Sequence, residues 1–154
     1  MASEECNKMG ARLARKMVEL VQGQLEKSDA DFEKFVGEYP GNNLILLTNV
    51  TSYGTNIWKI VRQIAQGLDA MQNRDTRYAY FHMMFSDALR MMLGAVNEQE
   101  FLTLMSNDGE GESFRKDYLT YKNRMASHFR AGLAELERSA AQMETGKPFE
   151  VLKK

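Results

Sequence analysis

Cysteine, histidine and proline are scarce in this chain, with one Cys, two His and two Pro among 154 residues. The lone Cys6 excludes an intramolecular disulfide and a cysteine-cluster metal site, and it suits a reducing compartment. The start, MASEECNKMG, lacks the basic lead and apolar core of a secretory signal, so the expected location is cytoplasmic. Charge of one sign is also missing: 20 basic and 21 acidic residues leave a net charge of -1. No overall field therefore draws the chain to nucleic acid or an anionic membrane, and any such contact needs a local patch. No uncharged apolar window reaches the ~20 residues that a bilayer requires. Phosphate loops, Gly-x-Ser-x-Gly elbows and His-Glu-x-x-His pairs are absent too, so no spaced signature places a phosphate, a nucleophile or a metal.

What is abundant points to helix. Eleven methionines join few breakers, and Met is both a good helix former and an adaptable packer. The expected fold is all-α, one domain over residues 1–154, a compact bundle of five to six helices. Its centre is the stretch RYAYFHMMFSDALRMMLGAV, which is apolar on most of its circumference and reads as a helix over about 76–93. Such a helix is enclosed by its neighbours or covered in part by a second molecule.

Around it, Ser3 is a cap for a first helix with Glu4 and Glu5 in its opening turn and a stripe of Cys6, Met9, Leu13, Met17 and Leu20, widened by Val18, Val21 and Leu25. Ser28 and Asp29 read as the start of a separate short helix, stopped by Gly37, Pro40 and Gly41. Residues 44–51 favour helix over strand because no second strand is available to pair with them. Gly54 and Thr55 read as an interruption before another helix at 56–72. Asp75 or Thr76 caps the central helix, and Asn97 with Glu100 has the spacing of a capping box. Residues 106–113, SNDGEGES, read as a flexible acidic loop. A long last helix over about 114–145 follows, capped by Ser113, with Phe114, Tyr118, Tyr121, Met125, Phe129, Leu136, Ala140 and Met143 as its seam. Residues 147–154 form a docked or frayed tail.

Candidate chemistry is sparse. His82 sits among Phe81, Met83 and Phe85, where an imidazole serves as a core hydrogen-bonding group or, less simply, as a haem ligand. His128 lacks the Glu-x-x-His partner of a carboxylate metal site. Cys6 lies on an apolar stripe and reads as a packed thiol. No cofactor and no metal is therefore expected. Methionines cluster on and near the central helix, and Met-rich surfaces adapt to many partners. The expected function is accordingly a non-enzymatic interaction or assembly subunit that binds a partner protein or itself, with Met83, Met84, Met91 and Met92 as the contact residues.

Basic and aromatic residues also alternate on the last helix: Arg115, Lys116, Tyr118, Tyr121, Lys122, Arg124, His128, Phe129 and Arg130. Arg115, Lys122 and Arg130 share an arc beside the aromatic seam, as a surface tracking a nucleic-acid backbone would. Across residues 48–130, a Thr-rich entry (TNVTSYGTNIWKIVRQI), an aromatic central helix with Arg90, a short VNEQEFLTLM helix and FRKDYLTYKNRMASHF follow in that order. In this the chain resembles the helical small subunits of type III CRISPR effector complexes. The resemblance implies a subunit lining guide and target strands, with Arg62, Arg90 and Arg124 as backbone contacts. It departs at Trp58, where the family would have an arginine, and in the chain's balanced charge. Nucleic acid is thus the alternative partner, with an enzyme or a haem-binding protein behind it.

Overall fold

The computed structural model describes residues 3–106 and 111–146, with only the backbone at 111 and 112. Those residues are all-helical, with no strand among them. Helix α1 runs Glu4–Glu38, α2 Asn43–Gln72, α3 Thr76–Leu93, α4 Glu98–Ser106 and α5 Gly111–Thr145. None of them is long and apolar enough to cross a membrane.

The helices stand in four columns. α1 packs against α2 and α5, and α3 packs against the same two, which closes a ring. α1 is antiparallel to α5, since Arg15 meets Glu144 near one end and Asp29 meets Arg130 further along. The third column is broken. α3 lies along the C-terminal half of α5, where Ser139 donates to the Met84 carbonyl. α4 continues in the same direction along the N-terminal half, where Phe101 meets the rings of Tyr118 and Tyr121.

Local chemistry accounts for the helix ends. Ser3 accepts from the Cys6 amide at 3.1 Å, Asn42 from Ile45, and Asp75 from Arg77, each supplying an acceptor to an otherwise orphan N–H. Between α1 and α2, Pro40 follows the end of α1 and Gly41 takes φ +82°, a left-handed value that glycine adopts without a side-chain clash.

Two expected breaks do not occur. Residues 28 and 29 lie inside a continuous α1: Ser28 is buried and accepts from Gln24, and Asp29 turns its carboxylate to α2 and α5. Gly54 and Thr55 likewise lie inside a continuous α2. The physical role of Gly54 is close approach, because a Cβ there would stand 2.6 Å from the Met125 sulfur. Gly132 does the same for α5 against α3, since a Cβ there would stand 3.0 Å from the Ala88 carbonyl oxygen. The α1 stripe also differs from the expected one. Gly10, Ala11 and Ala14 face inward beside Met17 and Val21, while Leu20 is exposed. Small residues there let α3 and α5 come close, Phe81 reaching the Gly10 backbone.

The α5 seam is buried as the pattern predicts, apart from the half-buried Phe114. α5 starts at Gly111, so Ser113 lies within it and does not precede it. The expected loop 106–113 is shorter than its bounds, because Ser106 ends α4 and 111–113 belong to α5, while 107–110 and the 147–154 tail lie outside the described residues.

Candidate functional site

The methionines of α3 divide by helix face. Phe81, Met84, Phe85, Ala88, Leu89 and Met92 point into the bundle, with Met92 fully buried. Met83 is 64% exposed and Met91 38%. The four methionines expected to form one contact surface are thus two core groups and two surface groups, which follows from their spacing: 83 and 91 lie eight apart on one face, and 84 and 92 one residue further round. Any surface contact by α3 rests on Met83 and Met91.

The three arginines expected as backbone contacts each meet a different group of the chain. The Arg62 guanidinium sits over the Trp58 ring at 5.2 Å. Arg90 is 3.9 Å from Asp87, and Arg124 is bound to Glu100 of α4. Of the arc on α5, Lys122 and Arg130 turn to Asp29 of α1, with Nζ 3.6 Å from Oδ1 and a guanidinium nitrogen 2.8 Å from Oδ2. Tyr53 of α2 donates to the same carboxylate at 2.8 Å, and Lys122 lies over the Phe32 and Tyr53 rings. Burial, then the hydrogen bond to Asp29, pushes the Tyr53 hydroxyl well above the usual tyrosine range. This knot ties three columns together and has satisfied groups, so it acts as a structural clasp.

His82 is not a core residue. Its Nε2 is 2.9 Å from Asp69 Oδ1 on a half-exposed edge between α3 and α2. His128 is exposed and Cys6 is buried. Among the described residues no group of three His, Cys, Asp or Glu side chains is placed to hold a metal ion.

The concave feature that sequence reasoning missed lies at the break in the third column. Trp58 of α2 donates through Nε1 to the Leu93 carbonyl at 3.2 Å, and Tyr121 of α5 donates to the Asn97 carbonyl at 3.3 Å. Two aromatic side chains thus hold the 94–97 linker from opposite columns, and buried Ala95 fills the space beneath it. Asn97 caps α4 by accepting from the Glu100 amide at 3.0 Å, but the Glu100 side chain goes to Arg124 and does not complete the capping box.

Because the column is interrupted, α4 lies close only to α5 among the described helices, and no residue of α4 is buried there. A groove of about 640 Å³ opens beside Trp58, bounded by Thr55, Leu93, Gly94, Val96, Asn97 and Glu98. It continues, through the shared Thr55, Val96 and Glu98, into a cleft of about 170 Å³ floored by Gly54, Phe101, Tyr121 and Met125. Exposed Leu102 and Met105 stand on α4, and Leu44 on the first turn of α2 is 72% exposed. Two polar atoms nearby in α5, the Tyr118 hydroxyl and one Arg115 nitrogen, are buried with no hydrogen-bond partner among the described residues.

Composition alone offered a hint, since Trp58 interrupts the polar side of its helix. The groove itself joins residues near positions 50, 95 and 125, and no spacing reveals that juxtaposition. No family model matches the chain, and neither a curated protein nor a solved structure matches it.

Proposed function

We propose that the protein is a non-enzymatic interaction subunit that receives an apolar segment of a partner protein in the groove between α2 and α4. The observation that carries this reading is the broken third column: α4 leaves α2 uncovered and gives the groove a floor of Trp58, Phe101, Tyr121 and Met125. Aromatic and Met side chains form adaptable, high-area contacts of the kind that anchor interfaces. A partner helix or extended segment laid there would bury Leu44, Leu102 and Met105 and complete the third column, which is the groove-binding mode of peptide recognition. The buried thiol of Cys6 suits a cytoplasmic, reducing setting for this role.

Nucleic acid is the weaker reading, since Arg62 and Arg124 are occupied by groups of the chain itself and the three arginines, Arg90 included, stand on three different helices.

Thr55→Trp tests the proposal. Thr55 borders both parts of the groove and is half-exposed, so a larger ring there fills the groove without removing a core contact. Wild-type protein recovered from its own source should carry a defined protein partner, and the Thr55→Trp protein should lose it while keeping its helical content and unfolding midpoint. Equal recovery of that partner by both proteins contradicts the groove reading.

A further inference from the structure

The outer face of α3 is separate from the groove and has its own logic. Ala79, Met83, Arg90 and Gly94 follow one another along its solvent side, with Asp87 and Met91 beside them, and all six are exposed. Met83 is the most exposed large apolar group on α3. The charges are one acid and one base a single turn apart, and their mutual contact is long, at 3.9 Å, with both side chains about three-quarters exposed. An exposed pair of that kind contributes little to the monomer, so either member is free to change partner at small cost.

We infer that this face joins a second copy of the same chain in an antiparallel, twofold-symmetric contact. The arrangement follows from the sequence of the face. A twofold axis crossing α3 between Ala88 and Leu89 puts Asp87 of each copy opposite Arg90 of the second copy. The same operation lays Met83 over Gly94 of the second copy, where no side chain obstructs it. The strip is thus complementary to itself in both charge and shape, which is the condition for an isologous interface. Gly94 lets the two helices approach at each end of the strip, and Met91 lies to one side as an apolar flank. α2 and α5 pack against α3 and flank the strip on its two sides.

A contact made by one helix face is small, and with one exposed ion pair on each side of its axis it is expected to be weak, of roughly micromolar affinity. Sedimentation velocity on the full chain, from about 1 to 200 µM, spans that regime. Wild-type protein should pass from monomer to dimer. Asp87→Arg and Arg90→Asp should each raise the dissociation constant about tenfold by facing like charges across the axis. The double variant, Asp87→Arg with Arg90→Asp, restores the opposition and should return to within about threefold of wild type. Met83→Asp should leave a folded monomer that still recovers the groove's partner, which separates this inference from the groove reading. A wild-type chain that stays monomeric throughout overturns the inference. So does a dimer whose affinity the single reversals leave unchanged or the double variant fails to restore.

Discussion

α3 and α4 occupy the same column of one bundle and behave as opposites. α3 sends six side chains into the core, and its partner α5 gives up a Cβ at Gly132 so that the backbones can meet. Among the described residues, α4 buries none of its side chains and lies close only to α5. The difference comes from the linker between them. Trp58 binds the carbonyl of Leu93, the last residue of α3, and Tyr121 that of Asn97 in the linker, so the column ends at specific hydrogen bonds and resumes away from α2. Packing in this molecule is therefore unequal along one axis, and the loose end is where a binding surface has room to exist.

The sharpest way to break the comparison is to truncate a ring in each half. Phe85→Ala removes a fully buried ring beside Phe81 and should cost about 3 to 5 kcal/mol, enough to unfold a marginal domain. Phe101→Ala removes a half-buried ring on α4 and should cost roughly 1 kcal/mol, because its site relaxes into solvent. Urea unfolding followed by circular dichroism measures both, and equal costs would remove the distinction between the two halves.

A smaller effect is expected at the glycines. Gly132→Ala places a methyl against the Ala88 carbonyl and the Met92 side chain and should destabilise by about 1 to 3 kcal/mol. Gly67→Ala adds a methyl on the open side of α2, with nothing within 4 Å, and should stabilise by about 0.5 to 1 kcal/mol. Thermal midpoints of the two variants moving in the same direction would contradict the close approach of α3 and α5.

The smallest effect is on pH dependence, through the clasp that joins α1, α2 and α5. The folded Tyr53 hydroxyl titrates above its unfolded value, because of burial and its bond to Asp29. Its contribution is therefore complete below about pH 10, where an unfolded tyrosine titrates, and is lost as pH rises through the folded value. Burial moves Tyr80, Tyr118 and Tyr121 the same way. Wild-type stability should fall above about pH 10, and Tyr53→Phe should fall less steeply there, at a cost of about 1 kcal/mol at neutral pH for the lost hydrogen bond. Unfolding midpoints taken from about pH 8 to 11 decide it, an unchanged alkaline slope being the contrary result.

Much of the framework was legible in the residues, and particular residues show why. The bounds of α3 follow from Asp75, which caps it, and Gly94, which closes it, and both signals are local. The seam of α5 is readable because its period stays regular from Phe114 to Met143. Ser28, Asp29 and Gly54 misled the reading for one shared reason. Each is a residue type that ends or starts helices in isolation, yet here each is held inside a helix, and Asp29 and Gly54 serve contacts with another column. The inward position of Met84 and Met92, against the outward one of Met83 and Met91, was implicit in their spacing once the buried side of α3 was known. The groove was not legible at all, since α4 stands off α2 through two hydrogen bonds made by residues distant in sequence.

The most direct test of the groove as a binding surface is photocrosslinking from single positions in the protein's own source. A photoreactive phenylalanine analogue at position 55 lies within the groove, and the same group at position 30 lies on an exposed part of α1 outside it. A partner seated in the groove predicts one discrete heterologous adduct from position 55 and none from position 30. Absence of an adduct at 55, or the same products from both positions, would contradict it.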